Sequence, residues 1–445
     1  MATLTQELFT LPLDDSSYLI YAPLQRSALI GNRQVLRFLA SVSRGVEPDP
    51  SEPLTGLLRE LGILDPIQET IPSGSKTGDP EPTTVTLFLT TACNLRCTYC
   101  YASAGDMPAE FMSLEVAQQG IDFVVKNALR LGTGYFTVCY HGGGEPSVNW
   151  KTLTDSFAYA SRRATDTGLQ LHTSLATNGV LTDPQIDWIV QNIRGATVSF
   201  DGLPELQDKN RPNILGQGVS QRVLHTLRRF DEANFRYGIR ATVLSDQVSR
   251  LPDAVDFVLS RFRPGAFQVE PVYPIGRGRG GARTETDEFI HAFREARRRA
   301  ANYNRDLTFS AVKVGVTSNH FCAATLESFC LSADGGVTAC YEVFSEKAKF
   351  ADKFFYGRPS DRDGEYEFDQ NVLSALRASD VHGRAHCRDC FAKYTCAGDC
   401  YHKTLEAGGG AEFSGSPRCH VIRELTKDLI LEQVAQSGGA YWRQA

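Results

Sequence analysis

Twelve cysteines occur in this chain of 445 residues, and their spacing sorts eleven of them into two groups. In TTACNLRCTYCYA, Cys93, Cys97 and Cys100 are separated by three residues and then two. So tight a loop lets three thiolates converge on one small inorganic centre. A closed structural zinc site takes four protein ligands, whereas a cubane iron-sulfur cluster held by three cysteines leaves one iron open to another molecule. The second group is Cys322, Cys330, Cys340, Cys387, Cys390, Cys396, Cys400 and Cys419. Cys322 is followed after twelve residues by Gly335 and after four more by Cys340; the run from Cys387 reads CX2CX5CX3C, with eighteen residues between Cys400 and Cys419. CX2C repeats also serve zinc, so a pair of zinc knuckles is the alternative for this zone. Cys139 belongs to neither group and reads as a buried inert thiol.

The chain that positions these thiols is 42% hydrophobic and 22% charged, enough to bury a core, and its length fits two or three domains. Its net charge of -6 gives no electrostatic reason to expect a nucleic-acid partner. The start, MATLTQELFTLPLDD, lacks the basic flank and apolar core of a secretory signal. No run of about 18 apolar residues is available to span a bilayer. The expected location is therefore cytoplasmic, with no membrane partner, and reducing compartments favour metal binding over disulfides for so many thiols.

Three zones separate by composition. Residues 1–70 hold two short strands, YLIYAPL and SALIGN, then two helical stretches around NRQVLRFLAS and SEPLTGLLRELGIL; a Pro/Gly/Ser-rich linker follows at 71–82. Over 83–310, VTLFLTTAC, YFTVCYHG, LQLHTSLATNG, ATVSFDG, RYGIRATVL and AFQVEPVY read as strands alternating with amphipathic helices, which predicts a parallel α/β sheet. The cysteine-dense zone, 311–436, ends in the helix VIRELTKDLILEQVAQ. Motifs at the carboxyl ends of parallel strands gather ligands. One is HGGGEP at 141–146, where glycines allow close backbone approach and Glu145 could accept from an ammonium group. The run VEPVYPIGRGRGG at 269–281 lacks the lysine and serine of a phosphate loop and reads as a flexible loop whose apolar backbone could lie near an adenine.

The first cysteine loop, with Tyr99 just before its last cysteine, resembles the radical S-adenosylmethionine (SAM) enzyme family. The resemblance implies a partial (β/α)6 barrel and a cluster whose free iron chelates the amino and carboxylate groups of SAM. Reductive cleavage of the sulfonium would then give a 5'-deoxyadenosyl radical, so the difficult chemistry belongs to the cofactor. HGGGEP is similar to the family's GGEP motif, carried by Gly143, Gly144, Glu145 and Pro146, which implies contact with the SAM amino group. Resembling members use the strand-end positions matched by Ser174, Asn178, Ser199, Asp201 and Arg240 for the ribose and carboxylate of SAM. A carboxylate such as Asp201 suits ribose hydroxyls, and a guanidinium such as Arg240 matches two carboxylate oxygens.

The second group resembles the SPASM extension of radical SAM proteins. By analogy with the anaerobic sulfatase-maturing enzymes, one auxiliary cluster would use Cys322, Cys330, Cys340 and Cys400, and the other Cys387, Cys390, Cys396 and Cys419. Three 4Fe-4S clusters are thus implied, the auxiliary pair fully ligated and suited to electron relay. SPASM extensions are associated with peptide substrates, and the N-terminal zone looks like a shortened peptide-recognition module that adds a leader peptide as an extra strand; a structural cap on the barrel is the alternative. The expected function is a peptide maturase that abstracts a hydrogen from a ribosomally made precursor peptide and forms a crosslink, fed by a flavodoxin- or ferredoxin-like donor. Sulfatase-maturing relatives carry an aspartate directly after the cysteine equivalent to Cys340. Here Tyr341 and Glu342 stand instead, which lowers the weight of formylglycine formation; Glu342, Tyr341 and His141 are the candidate proton acceptors. A zinc-bound, non-catalytic peptide scaffold is the reading from a different class.

Overall fold

The structure, a computed structural model, describes residues 1–72, 77–280, 285–326, 328–361, 364–409 and 413–444. Part of the expected 71–82 linker and the last residue of the 269–281 run lie outside them. The chain forms two compact units. Met1–Ser75, Ala311–Phe321 and Asp380–Ala445 make one, and Lys76–Ser310 with Cys322–Ser379 the other. The cysteine-dense zone is therefore shared between the units.

Strands in chain order are β1 (Phe9–Pro12), β2 (Ser17–Ala22), β3 (Ser27–Asn32), β4 (Thr84–Phe88), β5 (Tyr135–His141), β6 (Gln170–Thr177), β7 (Ala196–Ser199), β8 (Tyr237–Val243), β9 (Ala266–Pro271) and β10 (Leu307–Thr308). They continue with β11 (Cys330–Leu331), β12 (Val337–Thr338), β13 (Phe355–Pro359), β14 (Tyr366–Phe368) and β15 (Tyr441–Arg443).

In the larger unit β4 to β9 lie side by side in chain order, every pair parallel. Each crossover carries a helix, beginning with Leu114–Leu131 and Trp150–Thr167. This singly wound α/β sheet has the strand order expected of a partial (β/α)6 barrel. The first helix starts where Ser113 Oγ accepts from Val116 N at 3.3 Å and stops at Gly132, whose φ of +64° closes the C-terminus. On the far side of β4 the sheet continues through β11, parallel to β4, and the antiparallel β12, β13 and β14.

Side chains alternate across these strands. Val85, Leu87, Phe136, Val138, Tyr140, Leu175, Val198, Ile239, Phe267 and Val269 are buried. The opposite face is polar and accessible: Ser174, Thr197 and Arg240 are exposed, and Cys139, His141, Ser199 and Gln268 half-buried. Period-2 geometry thus drives one face of every strand into the apolar core and leaves the other to line a working surface.

The smaller unit is built on the antiparallel order β1-β2-β3-β15. Ile20, Leu29, Leu39, Val42, Leu58 and Leu64 form its core beneath the helix Arg33–Ser43. Asn32 Oδ1 caps that helix, accepting from Gln34 N and Val35 N at 2.9 and 3.2 Å. The sequence pattern shows β2 and β3 but not β1 or β15, which are too short for a periodicity of their own. The helix Pro417–Gln436 places Cys419 in its first turn.

Candidate functional site

The first cysteine loop leaves β4 and is fastened on three sides within the larger unit. Gly144 N and Glu145 N donate to Thr90 O and Ala92 O at 3.0 and 2.8 Å, which zips the glycine motif onto the strand leading into Cys93. A Cβ on Gly144 would run into Ala92 O, and one on Gly143 into the Phe344 ring. Thr98 N and Arg96 N donate to Asn210 O and Pro212 O at 2.8 and 2.7 Å. Arg96 Nη1 turns back to Cys93 O at 2.9 Å.

The third side corrects the sequence reading. Residues 269–281 were expected to be a flexible loop, yet Gly276–Gly280 is a helical turn clamped to the cysteine loop. Arg277 donates through Nε to Cys97 O at 2.8 Å and through its backbone N to Cys100 O at 3.0 Å. Its Nη1 reaches Asp106 Oδ1 at 2.7 Å. Gly276 holds φ +56°, and a Cβ there would strike Cys100 O. The physical reason is that a cysteine loop has unsatisfied carbonyls, and one guanidinium fork supplies several donors.

Cys97 is buried, and Cys93 and Cys100 half-buried. Burial, reinforced by the Glu145 carboxylate, pushes the Cys93 thiol up to about 12, and the other two thiols act on it in the same direction. Such thiols shed their protons only to a cationic centre, as iron would be. Among the described residues no three His, Cys, Asp or Glu side chains are arranged to hold a single metal ion; a cubane spreads its thiolates over a wider frame than one ion does. The backbone cradle and the mutual influence of three thiols fit that group.

The expected SAM residues cluster here, but several are already engaged. Glu145, only 2% exposed, accepts from Thr177 Oγ1 at 2.8 Å, Asn178 N at 2.7 Å and Ser147 N at 3.2 Å. Asn178 Nδ2 donates to Asn94 Oδ1 at 2.7 Å, beside Cys93. Asp201 differs most from a free ribose acceptor. Its carboxylate, 5% exposed, accepts from Tyr99 OH, which lies 2.7 Å from both oxygens, and from Asn210 Nδ2 at 3.1 Å, Arg211 Nε at 3.1 Å and Thr242 N at 3.3 Å. A carboxylate accepts at about four lone-pair sites, so this one is filled by the protein. The Arg211 guanidinium lies over the Tyr99 ring, 5.0 Å from its centroid. Tyr99 is thus a tether of the cysteine loop. Ser174, Ser199 and Arg240 sit on the accessible face, with Ser199 in register with Arg240.

Of the three candidate proton acceptors, His141 and Tyr341 are in contact, and Glu342 follows Tyr341 in the chain. The His141 and Tyr341 rings stack at 4.9 Å and 17°, and Tyr341 OH lies 3.3 Å from Thr86 Oγ1. Burial, then the Arg240 charge, holds the His141 imidazole down at about 4, and burial keeps the Tyr341 phenol above its ordinary range. Glu342 is half-buried and bears electrostatically on Tyr101, whose OH donates to Gly142 O at 3.0 Å. Cys139 occupies one row across the sheet with Cys330, Thr86 and Ser174. Sequence reading missed Arg211, Arg277, Tyr101 and Phe344; only the arginine in the Gly/Arg run carried a local signal.

In the smaller unit Cys387, Cys390, Cys396 and Cys419 line one cavity, with His386, Lys393, Asp399, Phe413 and Arg423. The four thiols of the second expected auxiliary cluster are therefore brought together. Cys400 lies in this unit, and Cys322, Cys330 and Cys340 in the other.

Comparison with known proteins agrees with this architecture. The sequence model described as Radical SAM superfamily matches residues 87–258. The sporulation killing factor maturation protein SkfB of Bacillus subtilis is 25% identical over 58% of this chain and 60% of its own length. A cysteine-type anaerobic sulfatase-maturating enzyme of Clostridium perfringens is 24% identical over 35% of this chain and 42% of its own. The Fe-coproporphyrin III synthase of Methanosarcina barkeri is 27% identical over 47% of this chain and 48% of its own. The chain thus spans about half the length of the curated relatives it matches. Among solved structures, that of anSMEcpe with bound AdoMet superposes with a TM-score of 0.64 at 18% identity, covering 80% of this chain and 96% of that one. Streptococcus suis SuiB bound to S-adenosylmethionine gives 0.56 at 13%, covering 93% and 99%. These likenesses concern the fold. The cysteine loop, the glycine motif zipped to it and much of the singly wound sheet lie within residues 87–258, the stretch that matches the radical SAM superfamily model.

Proposed function

We propose that this protein is a radical SAM peptide maturase that removes a hydrogen from a side chain of a ribosomally made precursor peptide and forms a crosslink. The observation that carries the reading is the coexistence of an open, three-cysteine loop beside an accessible polar sheet face with a separate cavity lined by four cysteines. Bound at the first loop, a 4Fe-4S cluster and SAM would supply a 5'-deoxyadenosyl radical. Cys93, Cys97 and Cys100 would hold that cluster. Gly143 and Gly144 let backbone groups close on the methionine moiety, and Ser174, Ser199 and Arg240 present donors to the nucleoside and carboxylate. Asp201, Tyr99 and Arg211 act one step back, fixing the loop.

Of the three candidate proton acceptors Glu342, a half-buried carboxylate, is the one assigned the proton. His141 is a weak base and Tyr341 a tightly held phenol, so they serve better as a stacked wall on the accessible face. The Glu342 carboxylate accepts the proton released when a substrate radical is oxidised. Cys322, Cys330, Cys340 and Cys400, and Cys387, Cys390, Cys396 and Cys419, would hold two auxiliary clusters, which when bound would supply an acceptor for the surplus electron. Relatives named as SkfB and as a sulfatase-maturating enzyme, and a solved anSMEcpe complex with a Cp18Cys peptide, make a peptide the substrate class to test first. β1 ends the small sheet and pairs only with β2 among the described strands, so an incoming leader peptide has an edge to extend.

The test is anaerobic reconstitution with reductant, SAM and synthetic candidate precursor peptides. Expected are about twelve irons per chain for three cubanes, release of 5'-deoxyadenosine, and a product lighter by two hydrogens. A formylglycine mass change would move the protein to sulfatase maturation. Colourless protein with stoichiometric zinc, or SAM used solely as a methyl donor, would remove the reading.

A further inference from the structure

The cavity lined by Cys387, Cys390, Cys396 and Cys419 is flanked by cations whose own charges are unevenly matched. Arg418 is paired: its Nε donates to Asp399 Oδ1 at 2.9 Å with both side chains buried. Lys393 is paired with Glu7 at 2.5 Å. Arg384 is different. It is 5% exposed, and its Nη1 has no hydrogen-bond partner among the described residues. Its backbone carbonyl accepts from Cys387 N at 2.9 Å, which sets it beside the first of the four thiols. The guanidinium rests over Phe413, 5.8 Å from the ring, and passes so close to Gly398 that a Cβ there would lie 3.2 Å from Nη1. A half-buried second cation, Arg423, lines the cavity and hydrogen-bonds the Cys390 thiol.

A buried guanidinium with an idle donor is costly unless an anion meets it. A cubane held by four thiolates carries roughly two net negative charges when oxidised and three once reduced, so nearby cations favour the reduced state. We propose that Arg384, seconded by Arg423, is the charge partner of the cluster held by Cys387, Cys390, Cys396 and Cys419, and that it sets this cluster as the preferred resting place of the electron withdrawn from the substrate. The step is a one-electron reduction of the cluster by the substrate radical, whose proton leaves to a base on the sheet face. This proposal rests on the cluster assignment under Proposed function and adds the residue that tunes it.

The experiment is an anaerobic redox titration of the full-length, reconstituted protein followed by electron paramagnetic resonance, after iron and zinc have been quantified. Arg384→Gln is expected to lower the equilibrium constant for reducing one auxiliary cluster at least tenfold, which is about 59 mV for one electron, and to leave the other clusters unmoved. Arg384→Lys, which keeps the charge, should restore most of the shift. Iron-replete Arg384→Gln with unchanged potentials would overturn the role of Arg384 alone. Zinc in place of iron would overturn the cluster reading beneath it. If Arg384→Gln fails to retain iron, Arg423→Gln must show the same downward shift, and its absence would refute the proposal.

Discussion

Replacing Asp201 by asparagine tests the architecture of the first site most directly. The carboxylate is buried and accepts from Tyr99, Asn210, Arg211 and the Thr242 amide. Asparagine keeps the shape but turns one acceptor into a donor facing donors, and it strands Arg211, which is 9% exposed. Breaking a buried pair by removing one partner costs about 3–5 kcal/mol. That is a large part of a typical total stability of about 5–15 kcal/mol. At about 2–4 °C per kcal/mol for a domain somewhat smaller than this unit, the melting temperature should fall by about 6–20 °C, toward the lower end. Thermal unfolding of cluster-free protein by circular dichroism isolates this effect from cluster binding. The companion variant Asp201→Asn/Arg211→Met removes the stranded charge and should melt above Asp201→Asn alone, a positive coupling of about 0.5–3 kcal/mol. An Asp201→Asn protein melting within about 2 °C of the parent, or a double variant at or below the additive sum, would show that the node does not hold the cysteine loop.

Three other expectations follow from the geometry. Gly144→Ala places a methyl group against Ala92 O, so the loop must shift; purified, reconstituted protein should lose about four irons per chain while the other clusters remain, and full iron content would contradict the cradle. Since His141 is held down at about 4 when folded, against about 6.5 in an unfolded chain, the unfolded state binds the extra proton between those values. Stability from this residue is complete above pH 6.5 and lost as pH falls toward 4, so the urea midpoint should drop more between pH 7 and 5 for the parent than for His141→Asn; parallel curves would refute the burial argument. Cys139→Ser should keep its iron, because Cys139 shares a sheet row with Thr86 and Ser174 and completes no ligand set here; loss of a cluster would reopen the count of eleven ligands.

Two features of this protein could be read from the residues alone. The cysteine spacings and HGGGEP are local, because a cluster-binding loop brings its ligands together over a few residues, and the six strands of the barrel declare themselves through period-2 burial of Val, Ile, Leu and Phe. Tertiary structure decided the rest. Asp201 has the chemistry of a ribose ligand in sequence, but Tyr99, Asn210, Arg211 and the Thr242 amide converge on it only in the fold, and their donors fill it. Arg277, in a Gly/Arg run that looks pliant in isolation, is made rigid by carbonyls nearly two hundred positions earlier in the chain. β15 pairs with β3 although each lies near an opposite end of the polypeptide. Such long-range hydrogen bonds leave no periodic trace, because periodicity records which face of an element is buried and not which distant group its polar atoms meet.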